Sequence, residues 1–152
     1  MAGITSALCT SFKVELLEGD HDFNNGADTF KVALLKANAS ITGTYGAATT
    51  NYSDVTGNSD ELPNGSGYTT GGYALTNVNP TSSGTTAFTD FSANAQWTSA
   101  TFTTRGCIIY NTSDSNSAVA MINFGADYSV SGGTFEIQWP TADSSNAIIR
   151  IA

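Results

Sequence analysis

His21 is the only histidine in the chain, and it stands between two carboxylates in the run Asp20-His-Asp-Phe-Asn-Asn-Gly26. An imidazole beside a carboxylate is the minimal general base, and both groups are common metal ligands. Side chains adjacent in sequence point in different directions, so the pair does not form a dyad by itself, and the run reads as a solvated turn. It also resembles the opening of a calcium loop, in which oxygen ligands alternate ahead of a sharp glycine turn. It departs from that pattern where specificity lies: glycine falls at the seventh position rather than the sixth, and Lys31 occupies the twelfth, where a bidentate Glu belongs. No metal site is expected.

Asp54, Asp60 and Glu61 could serve as the paired carboxylates of a glycoside hydrolase, but their spacing does not place two of them across a sugar ring. They read as solvated loop carboxylates. No Ser or Cys lies in a nucleophile elbow, because Gly65-Ser-Gly and Ser131-Gly-Gly lack both its spacing and a following helix. Gly71-Gly72 and Gly132-Gly133 are not followed by a helix or a Lys-Ser/Thr pair, so they read as hairpin or bulge glycines rather than phosphate cradles. Cys9 and Cys107 match no zinc or redox spacing, and read as buried free thiols, with a disulfide the alternative that geometry decides. Neither a catalytic residue nor a cofactor site is expected, and a small hydrolase built on His21 would need Asp20, Asp22 or Asp28 brought beside it by folding.

The elements that would position such groups are mostly strands. Charged residues make up 12% of the 152 positions, and polarity comes instead from 22 Thr, 17 Ser and 13 Asn, a composition of strands and turns. Forty per cent apolar content with 8 Phe, 6 Tyr and 2 Trp is too rich for disorder and sufficient for one core, so residues 1–152 are expected to form a single domain. A net charge of −8 repels a phosphate backbone, which argues against nucleic-acid binding. Met1-Ala-Gly-Ile-Thr-Ser lacks the cationic start and apolar run of a signal peptide, and no run is long enough to span a membrane as a helix. Synthesis in the cytoplasm without membrane association is the expectation.

One helix is expected over about residues 6–18, from Leu8, Phe12 and Leu16 at four-residue spacing, with Leu17 widening the stripe, Thr5 or Ser6 as cap and Gly19 as terminator. Thr29 to Lys36 reads as a half-buried strand with Phe30, Val32 and Leu34 inward. Residues 38–72 dissolve into Gly, Ser, Thr, Asn and Tyr and read as a long polar surface loop. Strand signals return at 73–78, 87–91, 96–103, 106–110, 118–124, 134–139 and 147–151, separated by turn chemistry. About eight strands without crossover helices predict a mainly β fold, a single antiparallel β-sandwich or jelly-roll with one short N-terminal helix. Trp97 and Trp139 fall inside strand patterns and are expected in the core, whereas Tyr45, Tyr52 and Tyr68 lie in the polar loop and are expected at the surface.

Several phrases together carry a resemblance: Leu16-Leu-Glu-Gly with Phe23, Thr29-Phe-Lys-Val-Ala-Leu, Gly67-Tyr-Thr-Thr-Gly-Gly, Arg105-Gly-Cys-Ile-Ile-Tyr-Asn, Asn123-Phe-Gly, and Trp139-Pro-Thr-Ala-Asp running to Ala152. The chain resembles a family of small proteins encoded among the virion-structure genes of tailed bacteriophages. That resemblance implies a non-catalytic capsid decoration, or cement, protein on the exterior of the head, bound to the major capsid protein and self-associated as a dimer or trimer. Because loops and tails on a rigid sandwich commonly carry recognition, the expected contact elements are the N-terminal segment through Ser6 with Ile4 and the loop from Ala39 to Gly72 with Tyr45, Tyr52 and Tyr68, of which residues 39–66 are expected to be removable without loss of the fold. The alternative is a tail-associated receptor- or glycan-binding virion protein using the same tyrosines with Asn51 or Asp54.

Overall fold

The computed structural model describes residues 2–152. The protein is mainly β, with antiparallel sheets consistent with a β-sandwich. The elements in chain order are β1 (Gly3–Ile4), β2 (Ala7–Leu8), α1 (Thr10–Glu18), β3 (Phe30–Lys36), β4 (Thr44–Tyr45), α2 (Tyr52–Gly57), β5 (Tyr73–Ala74), β6 (Thr81–Ser83), β7 (Thr86–Thr89), β8 (Ala95–Asn111), β9 (Ser117–Ile137) and β10 (Ile149–Ile151). The main sheet has the order β2-β9-β8-β3-β5, and a smaller one has the order β10-β7-β6. The exception to antiparallel pairing is the short contact of β1 with β4.

The expected helix begins four residues late. Ala7 and Leu8 pair with Met121 and Ala120 as an edge strand, so Cys9 becomes the N-cap and offers no side-chain hydrogen bond. The other end is as expected: Gly19 adopts φ 89°, the left-handed conformation, and its N–H returns to the Glu15 carbonyl. Phe12 is the buried residue of the helix, while Leu17, expected to widen the apolar stripe, points to solvent.

β3 is buried on both faces rather than one, since Ala33 and Leu35 are as inaccessible as Phe30, Val32 and Leu34. On the first face, Phe30 stacks on Phe23 at 4.4 Å and lies 6.1 Å from Phe91, which carries the core toward the smaller sheet. The second face is covered by the segment that looked like a surface loop. Tyr110 pairs across the sheet with Lys31, and the ring of Tyr52 on α2 stacks on Tyr110 at 4.3 Å and an interplanar angle of 4°. Cross-strand partners share a face, so α2 lies over the side of β3 that carries Lys31, Ala33 and Leu35. Beyond β5, Asp60 to Leu62 takes the remaining edge of β3: the Lys36 N–H donates to the Asp60 carbonyl and the Leu62 N–H to that of Leu34.

The four strand signals between 96 and 139 merge into one long hairpin of 17 and 21 residues, turned at 111–117 as the sequence predicts. Of the hairpin and bulge readings of Gly132-Gly133, the bulge is the one realised, and Gly125 marks another. Gly125 and Gly132 have φ of 83° and 64°, and the register slips at Thr104/Gly106 and Ala100/Thr101, so the strands bend without ending. Before Thr104 in β8 and after Tyr128 in β9, the two strands stand off the sheet as a two-stranded ribbon.

Glycine is required at Gly72, where φ is 76° and a Cβ would overlap the Val32 carbonyl. Gly19 has a similar φ of 89° but open space around it. Gly19→Ala should therefore cost about 1–2 kcal/mol, the left-handed penalty alone, and Gly72→Ala about 3–4 kcal/mol because the backbone must also move. Urea unfolding of the two variants measures the difference, and equal losses would show that the Gly72 approach to β3 is not close.

Candidate functional site

Asp60 and Glu61, two of the carboxylates with potential for acid–base chemistry, are buried. Asp60 accepts hydrogen bonds from the Thr42 N–H at 3.0 Å, the Gly43 N–H at 2.8 Å and the Tyr45 hydroxyl at 2.5 Å. Burial alone would raise its pKa, but the Tyr45 hydroxyl and the amides of Gly43 and Thr42 outweigh burial and hold the carboxyl below the ordinary value. Glu61 accepts from the Tyr52 hydroxyl at 2.5 Å, the Tyr68 hydroxyl at 2.7 Å and the Gly71 N–H at 2.7 Å. The tyrosines respond in kind: desolvation and the adjoining carboxylates push Tyr45, Tyr52 and Tyr68 well above the ordinary phenol range. Tyr110, which donates to the Gly71 carbonyl at 2.7 Å, is raised to about 12, chiefly by burial. Asp54 accepts from the Asn51 N–H while the Asn51 side chain accepts from Ser53, forming the cap of α2. The three carboxylates are thus consumed in holding residues 38–72 in place, and Asp60 and Glu61 do not flank an open cleft.

His21 is buried as well, which corrects the reading of a solvated turn, because the end of α1 folds its side chain into the first face of the sheet against Phe12 at 5.0 Å. The Asn111 carbonyl oxygen accepts from the Ser113 and Asp114 N–H groups, so its amide nitrogen faces His21 Nδ1 at 3.0 Å and Asp28 at 2.8 Å. Nδ1 must then be the acceptor, and the ring proton sits on Nε2, donated to Glu15 at 2.9 Å. Glu15, His21 and Asp114 bring their oxygen and nitrogen atoms within 4.8 Å of one another, a spacing that a cation could use. The hydrogen-bond pattern opposes it, because a ligating Nε2 needs its proton removed and Nδ1 protonated against the Asn111 amide. The neighbouring calcium-like run is likewise committed: Asp22 accepts from the Asn24 N–H, and Asp28 accepts from the Asp22 N–H. This cluster ties the end of α1 to the β8–β9 turn.

The residues expected at a contact surface lie elsewhere. Ile4, Tyr45 and Tyr68 are buried and Tyr52 is half-buried against Tyr110. The reason is the same in each tyrosine: the hydroxyl is drawn inward to Asp60 or Glu61. Ile4 is held by the β1–β4 pairing over Gly106. The segment 38–72 is not separable from the fold, since its removal would uncover Leu35 and the second face of β3. Cys9 and Cys107 are both buried free thiols, with burial raising Cys9 to about 11. Trp97 is in the core, and Trp139 is half-buried with its indole N–H on the Ala93 carbonyl.

No family model, curated protein or solved structure matches the chain. The site must therefore be sought on the surface itself. Large apolar side chains exposed there are Leu17 at 89%, Ile151 at 58%, Val14 at 51% and Tyr128 at 51%. Leu16, Phe23, Pro80, Phe88, Ile149 and Ile151 line an apolar groove of about 100 Å³ between α1 and the smaller sheet. A second groove, of about 260 Å³, runs along β9 between Phe124, Tyr128, Phe135 and Ile137. The sequence hid both. Leu17 is indistinguishable from a core position in a helical stripe, and the ribbon residues carry ordinary strand alternation.

Because the folded protein binds the Asp60 proton less tightly than the unfolded chain does, the anion stabilises the fold above the ordinary value of 3.8, and the stabilisation is lost as pH falls through the lower folded value. Asp60→Asn should cost about 2–3 kcal/mol at pH 7. Its deficit relative to the parent should shrink as urea titrations are taken below pH 3.8. A deficit independent of pH would mean that the charge on Asp60 carries none of the effect.

Proposed function

We propose that this chain is a non-catalytic structural protein of a tailed-bacteriophage virion. In this reading it decorates the exterior of the head as a cement protein, bridging subunits of the major capsid protein. The observation that carries it is the apolar groove between α1 and the smaller sheet, where Ile151 stands exposed beside Leu16, Phe23, Pro80 and Phe88, with Leu17 exposed elsewhere on α1. Exposed large apolar side chains beside such a groove mark a surface that another protein covers. The resemblance of the sequence phrases supplies the identity of that protein.

A cement protein acts by multivalency: one rigid body touching several shell subunits holds them against internal pressure although each contact is modest. The fold suits that task, because a core packed on both faces of the main sheet transmits load without yielding. Few of the side chains are long and cationic, with 5 Lys and Arg in all, so little side-chain entropy is lost on docking. Self-association as a dimer or trimer would multiply the contacts. With Tyr45 and Tyr68 buried, contact falls to the α1 face instead of the polar segment.

The test is attachment to purified shells lacking this protein. Leu17→Asp and Ile151→Asp should each weaken shell binding about tenfold or more, since burying such a side chain contributes about 1.5–3 kcal/mol, while thermal stability stays near that of the parent. Quantitative mass spectrometry of virions should find copies in number comparable to the major capsid protein. Parent-like attachment of both variants would overturn the assigned face, and a few copies confined to the tail would overturn the cement reading in favour of receptor binding.

A further inference from the structure

Two of the 13 asparagines precede glycine, Asn25 before Gly26 and Asn64 before Gly65. Asparagine is a labile side chain, and a following glycine exposes it most, because the glycine nitrogen can reach the side-chain carbonyl carbon with no Cβ in the way. Both asparagines are exposed, and no hydrogen bond among the described residues holds either carboxamide. They differ at the nucleophile. The Gly65 N–H is donated to the Tyr68 carbonyl at 2.8 Å, and the Tyr68 N–H returns to the Gly65 carbonyl at 3.0 Å. Tyr68 is itself buried, with its hydroxyl donated to Glu61 at 2.7 Å, so the Gly65 nitrogen belongs to a bridge tied to the core. In the turn 24–27 the closing bond runs instead from the Ala27 N–H to the Asn24 carbonyl at 3.0 Å. It passes over Gly26, whose N–H has no acceptor among the described residues. Gly26 has φ 88° and open space where a Cβ would stand.

We infer that Asn25 is a site of spontaneous covalent modification, deamidating through a cyclic imide formed with Gly26, while the fold protects Asn64. The Gly26 nitrogen gives its proton to solvent and bonds to Cγ of Asn25. The Cγ–Nδ2 bond then breaks, and Nδ2 takes a proton back from solvent and leaves as ammonia. Water opens the imide in one of two ways. Cleavage between Cγ and the Gly26 nitrogen gives aspartate, and cleavage between the main-chain carbonyl carbon and that nitrogen gives isoaspartate, with the main chain rerouted through Cβ and Cγ. Water is the one co-reactant. Either product adds a negative charge to a chain already at −8, in a run that holds Asp20, Asp22 and Asp28.

The turn lies outside the core but is anchored to it at both ends. The Asn25 N–H donates to the Asn79 side chain at 2.7 Å, and the Asn77 amide donates to the Asp28 carbonyl at 3.0 Å. The Asp28 carboxylate in turn accepts from the Asn111 amide at 2.8 Å, beside His21. These anchors use the main chain of Asn25 and the groups of Asp28. Neither reacting group, the Asn25 carboxamide or the Gly26 nitrogen, is among them, so the two stay free while their surroundings are held. The inference rests on neither the α1 face nor the virion reading.

The test is ageing of the whole protein at neutral and mildly alkaline pH, followed by peptide mapping with mass spectrometry. Isoaspartate is counted separately by enzymatic methyl transfer from S-adenosylmethionine. Conversion at Asn25 should outrun that at Asn64 by about fivefold or more, the factor set by one net hydrogen bond on the Gly65 nitrogen. It should quicken with pH, because the attacking nitrogen must lose its proton. In a parallel sample unfolded in guanidinium chloride the two sites should convert at nearly the same rate, since each is then an unbonded Asn-Gly pair. Asn25→Gln should remove the early acidic species on anion exchange without altering the thermal midpoint, and Asn64→Gln should leave that species in place. Four results would overturn the inference: conversion at Asn64 as fast as at Asn25 in the folded protein, a ratio unchanged by unfolding, an inert Asn25 while the unfolded sample converts, or persistence of the acidic species in Asn25→Gln.

Discussion

Two consecutive buried carboxylates that form no salt bridge among the described residues set the constraint on which this protein depends. An anion taken out of water is costly unless its lone pairs are met. Asp60 and Glu61 are met by hydroxyls and amides gathered from Thr42, Gly43, Tyr45, Tyr52, Tyr68 and Gly71. Those donors span the whole of the polar segment, so satisfying the two anions folds that segment against β3. Once it is there, α2 covers the second face of the main sheet, and β3 is sealed on both sides. The requirement also fixes the tyrosines: a ring whose hydroxyl must reach a buried carboxylate cannot be a surface platform.

The parts of the fold that were legible are those with local causes. Alternation gave β3, the left-handed requirement gave the end of α1 at Gly19, and the Asn, Ser and Asp run gave the turn of the long hairpin. Residues 38–72 were illegible for a physical reason. Hydrogen-bond donors and acceptors look identical in a sequence whether they meet water or each other, and pairs such as Tyr45 with Asp60 are visible only once the chain has folded. His21 was missed in the same way, since its partners Glu15 and Asn111 come from α1 and from the far end of β8. In the ribbon, Gly125 and Gly132 serve bulges with the same positive φ that a turn would need, so residue type alone does not separate the hairpin from the bulge reading of Gly132.

With Asp60, Glu61 and His21 engaged inside, the molecule presents outward an acidic polar surface interrupted by a few apolar side chains. The groove between α1 and the smaller sheet leaves Ile151 exposed at its rim, and the β9 ribbon leaves Tyr128 exposed beside Phe124 and Phe135. Both faces depend on the same interior, because the ribbon is fastened through Asp127 to Asn38, at the start of the segment that the carboxylates hold.

Native-state amide hydrogen exchange tests that interior most directly. The N–H groups of Thr42, Gly43 and Gly71, which donate to Asp60 and Glu61, and that of Leu62, which donates to the Leu34 carbonyl, should be protected to nearly the same degree as those of Ile108 and Ile109 in β8. They should open only with the global unfolding of the protein. Rapid exchange at these amides while β8 remains protected would mean that residues 38–72 form a separable loop, and would contradict the account.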